Sequence, residues 1–190
     1  MASAEPFTII SVTGAHSGVG KTTLCSILLE SLKGFGAIKF TKTPLYTSVV
    51  DDEKILGEKG KDTAIYLESG AEKVLWIQSP GGKELEDALH IALAGMTEVR
   101  GVIVEGNSPL DFLDPQVVIF IIDEEVQMKS SALDAVKRAD IIVMNSETQV
   151  KDLVFSAEIS GKDVKFLWID LINKKGEIDK LLAYIKKYTG

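Results

Sequence analysis

The sequence predicts an α/β fold, a doubly wound and mainly parallel sheet of about seven strands. Two observations carry that prediction. Short apolar runs rich in β-branched residues recur along the 190 residues, and between most successive pairs lies a stretch with helical spacing. Several runs also lack alternation of apolar and polar positions, as strands covered by helices on both faces should.

The elements follow in order. A strand is expected at 7–13, leading through a glycine-rich turn into a helix at 21–33 that contains Thr23, Leu24 and Leu28 and is stopped near Gly34. A strand at 37–41 comes next. Residues 42–61 are the one long irregular segment, longer than the ~12–15 residues usual for a structureless connection, so a mobile functional loop is expected there, with a short hairpin as the alternative. Then come a helix at 62–68 before Gly70, a strand at 73–77, a helix at 83–94 before Gly95, and strands at 102–105 and 117–123. The rest reads as a helix at 130–138, a strand at 141–145, a helix at 150–160 before Gly161, a strand at 165–169 and a helix at 177–188. Right-handed crossovers place helices on both faces, and ligands of such sheets bind at the carboxyl ends of the strands.

Composition narrows the function. The length suits one domain spanning 1–190, and a net charge of −7 gives no general attraction for nucleic-acid phosphates, so no nucleic-acid partner is expected. The longest purely apolar run, 117–122, is too short to cross a bilayer, and the N-terminus lacks a basic region before its apolar stretch. A cytoplasmic protein without a membrane partner is expected. Cys25, the single cysteine, cannot form an internal disulfide and reads as a buried thiol. The lysines near the C-terminus, Lys174, Lys175, Lys180, Lys186 and Lys187, read as a solvated helix face.

Between the first strand and its helix the chain reads G-A-H-S-G-V-G-K-T-T, Gly14 to Thr23. Gly14, Gly18 and Gly20 allow tight turns that aim successive N–H groups, those of Ser17 and Val19 included, at phosphate oxygens, and the helix N-terminus adds its dipole. In a P-loop of this pattern Lys21 reaches the β- and γ-phosphates of GTP or ATP and the Thr22 hydroxyl ligates Mg²⁺, with Thr23 beside it. His16 reads as a solvent-facing loop residue. Such a site needs a further acid for the metal's water shell or the attacking water. Glu105 fits, at the end of an apolar strand and next to Gly106, where backbone can approach a γ-phosphate. Asp123, Asp51 and Asp52 read as solvated turns. Asn145 ends another strand, where a base-recognising side chain can stand, but Asn145-Ser146-Glu147-Thr148 lacks the lysine and aspartate of a guanine motif.

With these positions in place, the chain resembles the molybdopterin-guanine dinucleotide biosynthesis protein B family. The likeness rests on the P-loop, on Ile38-Lys39, on Gly60-Lys61-Asp62-Thr63 followed by Glu68-Ser69-Gly70-Ala71, and on Val104-Glu105-Gly106, over about two thirds of the chain. Members typically show I-K-H, then G-K-D-S and A-G-A, then V-E-G. The resemblance implies a P-loop NTPase with phosphate binding by Lys21, metal binding by Thr22, a loop-facing lysine at Lys39, an acidic role for Glu105 and Asp62 near the nucleotide. A simple N-cap would explain Asp62 equally well. It also implies a weak, Mg²⁺-dependent NTPase that assists a cofactor-assembly enzyme, and it allows a homodimer. Phe40 stands where the family has histidine, and the second histidine is absent from Thr41-Lys42-Thr43. Val12-Thr13-Gly14, Val19-Gly20-Lys21-Thr22 and Val104-Glu105-Gly106 are also similar to dethiobiotin synthetase, which implies the alternative of an ATP-dependent small-molecule ligase or kinase. That family usually has glutamate where Gly18 stands.

Overall fold

A computed structural model describes residues 7–125, 127–149 and 164–189; the helix expected at 150–160 lies outside the described residues. In chain order the elements are β1 (Thr8–Gly14), α1 (Lys21–Ser31), β2 (Phe35–Lys42), β3 (Ser48–Val50), α2 (Glu53–Leu56), α3 (Asp62–Glu68), β4 (Val74–Ser79), α4 (Gly82–Ala94) and β5 (Gly101–Glu105). A 3₁₀ turn (Ser108–Phe112) leads to β6 (Val117–Asp123), α5 (Ser130–Arg138), β7 (Ile141–Asn145), β8 (Lys165–Asp170), β9 (Lys175–Gly176) and α6 (Ile178–Ile185).

The strands form one sheet in the order β3-β4-β2-β5-β1-β6-β7-β8-β9. All seven expected strands lie in it, and their mutual pairings are parallel. The absence of alternation has a plain cause. On β6, Val117, Ile119 and Ile121 join one apolar core with α1, α3 and α6, while Val118, Phe120 and Ile122 join another beneath α5. On β5, Ile103 faces the first core and Val102 and Val104 pack under α4. Alternate side chains point to opposite faces and both faces are buried, so Val117 to Ile122 and Val102 to Val104 are apolar without a break. Cys25 lies in the first core at 1% exposure, and burial pushes its thiol well above the ordinary thiol range.

Two differences from expectation concern the edges. Among the described residues the sheet has nine strands rather than seven, because β3 and β9 pair antiparallel with β4 and β8. The segment 42–61 is accordingly not structureless: Ser48–Val50 pairs with Trp76–Gln78, and α2 buries Leu56 in the first core. Runs of two to four residues are too short to display a period of 2 or 3.6, which is why the sequence pattern did not reveal them. Asp52 does not reach the centre of the molecule; it caps α2, accepting from the Lys54 N–H at 2.9 Å, and Asp51 beside it is exposed. Among the described residues no helix is long and apolar enough to cross a membrane.

Chain direction reverses about β1. From it the chain moves outward to β2 and β4, returns to β5 on one side of β1, and then crosses to β6 on the other. The crevice at the carboxyl end of β1 is therefore the topological switch point, where doubly wound sheets hold their ligands.

Candidate functional site

The glycine-rich loop leaves β1 at that switch point and is held from three sides. The Asn107 side-chain amide brackets Gly14, accepting from its N–H and donating to its C=O, both at 2.9 Å. Ala15 N–H donates to Ile121 of β6 at 2.8 Å. Behind the loop, Asn145 donates to the Val19 carbonyl at 3.1 Å and accepts from the Leu171 N–H at 3.1 Å, so both ends of its amide are engaged within the chain. Gly20 sits against this brace with φ 107°, and a Cβ there would meet Leu171 at 2.6 Å and Asn145 at 3.1 Å. A side chain is thus excluded twice over, by conformation and by space.

The loop forms one wall of a cleft of about 790 Å³. Gly14, Ser17, Gly18, Gly20, Lys21, Thr22 and Thr23 line it from the loop side, and Lys39, Asp62, Glu105, Gly106 and Asn107 face them. The Val19 side chain instead enters the core at 1% exposure. Lys21 donates from Nζ to the His16 carbonyl at 2.8 Å. Burial lowers its pKa and the positive charge of Lys39 adds to that, outweighing the opposing pull of Glu105, so an anion entering the cleft would relieve it.

Glu105 is the centre of the arrangement and is only 3% exposed. Lys39 Nζ lies 2.6 Å from its Oε1, the Thr22 hydroxyl donates to Oε2 at 3.3 Å, and the Tyr66 hydroxyl donates to the same Oε2. A buried carboxylate demands such partners. Lys39 also pairs with Asp62 at 2.5 Å. Burial acts to lower the Lys39 pKa, but the charge of Glu105 and the bond to Asp62 outweigh it and hold the ammonium above its usual range. Asp62 is the first residue of α3 rather than its cap, a place taken by Lys61. Tyr66, fully buried, was not evident in the sequence, although it stands four residues after Asp62 and so on the same helix face.

His16 and Asp123 also depart from expectation. Their side chains are 21% and 24% exposed and meet at 2.9 Å, a contact that is ionic when the imidazole is protonated, instead of a free loop histidine and a solvated turn. The Ser17 carbonyl at Nδ1 and then the Asp123 carboxylate at Nε2 raise the His16 pKa, because both ring nitrogens face acceptors. Among the described residues no cluster of three or more His, Cys, Asp or Glu could enclose a metal ion. Oxygen donors at Thr22 and Glu105 fit Mg²⁺ as phosphate sites hold it, with few protein groups and the remainder from water and phosphates.

A glycine loop joining the central strand to a helix, Lys21 and Thr22 opening that helix and an acid closing the adjacent strand together define the fold of the P-loop NTPases. A solved structure agrees. LpxK from Aquifex aeolicus, determined in complex with ATP, matches with a TM-score of 0.51 at 17% identity, over 86% of this chain and 54% of its own, so the chain spans about half the length of that protein. The signal recognition particle receptor FtsY from Elizabethkingia anophelis, in complex with GDP, gives a TM-score of 0.44 at 15% identity, over 76% of this chain and 50% of its own. No family model and no curated protein sequence matches the chain. At these identities the likeness concerns the fold alone.

Proposed function

We propose that this chain binds GTP or ATP with Mg²⁺ in the cleft and hydrolyses it slowly, as a cytoplasmic accessory factor in molybdenum-cofactor maturation toward molybdopterin guanine dinucleotide. The observation that carries nucleotide binding is the contact between Thr22 and Glu105 at 3.3 Å, beside Lys21 and at the head of the glycine loop. In this reading the loop N–H groups from Ser17 to Thr23 hold phosphate oxygens, those of Gly14 and Ala15 being taken up by Asn107 and Ile121, and Lys21 neutralises the β- and γ-phosphates. Thr22 and Glu105 hold the metal and its water, Lys39 and Gly106 face the γ-phosphate, and Asn145 acts indirectly by bracing the loop. Mg²⁺, when bound, offsets phosphate charge. Slow turnover fits a cleft wall with no arginine among the described residues, since an arginine finger is worth ~10³–10⁵ in rate.

The assignment to cofactor maturation rests on the order of the motifs that resemble the biosynthesis protein B family. Fluorescent GTP and ATP titrated with and without Mg²⁺ test the site; no binding of either removes it. Adding the protein and GTP to a purified assembly nucleotidyltransferase tests the role, and equal yields of the guanine dinucleotide with and without the protein remove that. A second reading, a small-molecule ligase or kinase, is favoured by a side pocket of about 230 Å³ that shares Lys39, Thr41 and Asp62 with the cleft. Mass spectrometry of the products separates the two.

A further inference from the structure

Tyr66 has no place in the phosphate-binding motifs, yet it touches the residue at their centre. Its ring is wholly buried in the core shared by α1 and β1, where phenylalanine would pack equally well, and its hydroxyl donates to Glu105 Oε2. One turn earlier on the same helix, Asp62 holds Lys39, and Lys39 holds Glu105 Oε1. Both oxygens of the carboxylate therefore answer to α3, one directly and one through a lysine, while Thr22 shares Oε2. Three donors on a carboxylate that is 3% exposed leave it a single orientation.

We propose that Tyr66 is a positioning residue: its hydroxyl fixes the Glu105 carboxylate in the orientation that faces Thr22, and so sets how the metal's water shell and the attacking water are held. The inference deepens the reading of the cleft as a triphosphate site and rests on it. Hydrogen-bonding partners behind a metal site commonly matter by 10–100-fold, because they remove freedom from the group in front of them.

Glu105→Gln, Tyr66→Phe and the double variant test this by three readouts. Turnover of Y66F falls about tenfold with KM for the nucleotide within about twofold, and Mn²⁺ binding beside a non-hydrolysable triphosphate, followed by the free-Mn²⁺ EPR signal, weakens about tenfold. Added to E105Q, the same change has no further effect on either quantity, since Tyr66 acts through Glu105. Wild-type behaviour of Y66F, or equal losses in both backgrounds, overturns the proposal and leaves a core tyrosine. A third readout needs no variant at position 66: the Tyr66 hydroxyl proton gives a protected downfield NMR resonance that moves upfield in E105Q, where a neutral carboxamide replaces the charged acceptor. If no such resonance exists in the wild type, the bond and the proposal fall together. Failure of the cleft reading shows separately, as a wild type that keeps this resonance and binds no triphosphate.

Discussion

Lys21 and Lys39 bring the same charge into one cleft and are held in opposite states. Burial leaves Lys21 with a lowered pKa and only a backbone carbonyl as partner, whereas Glu105 and Asp62 hold Lys39 above its usual range. Lys21 is therefore the ammonium that gains most from an incoming phosphate, and Lys21→Ala is expected to abolish triphosphate binding with an unchanged circular dichroism spectrum. Retained affinity would remove the phosphate role. Glu105→Gln keeps the shape of the carboxylate but loses its charge, so turnover should fall at least about tenfold, ~1.4 kcal/mol in the barrier, with affinity for the triphosphate nearly kept. Steady-state kinetics decides this. The His16–Asp123 pair adds a pH signature. A histidine pKa raised by folding gives stability that is fully present below its unfolded value near 6.5 and is lost as pH rises through the higher folded value. The melting temperature of wild type should exceed that of His16→Gln most at about pH 6 and by less at about pH 8; a gap independent of pH would show that protonation plays no part.

At the scale of elements, α3 and the segment before it separate what the sequence discloses from what it hides. The glycine loop and the seven long strands were legible because their spacing is local and their periods are complete. Tyr66 and the bracing of Gly14 by Asn107 were not, because the partners lie 39 and 93 residues away and only the sheet order brings them together. The edge strand β3 was hidden by brevity, and for Asp62, which the sequence left between a cap and a neighbour of the nucleotide, the placement of Lys39 on β2 beside it favours the site. The revised segment makes its own prediction. In hydrogen exchange without nucleotide, the amides of Leu56 and Gly57, which bond to Asp52 and Glu53, and those amides of Ser48–Val50 that face β4 should be protected relative to exposed Leu45 and Tyr46. Equally rapid exchange throughout 42–61 would restore the mobile loop.

For the molecule as a whole, the sheet carries a tryptophan in each wing, Trp76 on β4 and Trp168 on β8, with the glycine loop between them. If the first core is continuous from α3 through β1 to α6, the wings unfold together. Urea transitions followed in Trp76→Phe and Trp168→Phe should then have the same midpoint and slope once corrected for each variant's stability, while separated midpoints would divide the chain into two units. The outermost strands have a different kind of consequence. A parallel sheet ending at β4 and β8 would offer two rows of open backbone groups on which another chain could grow. Instead β3 covers one side with three residues, and on the other Glu177 binds the Trp168 N–H and C=O while β9 adds two residues. Short antiparallel borders of this kind make poor templates for strand addition. Crowded copies of this chain should resist fusing rim to rim into fibrils.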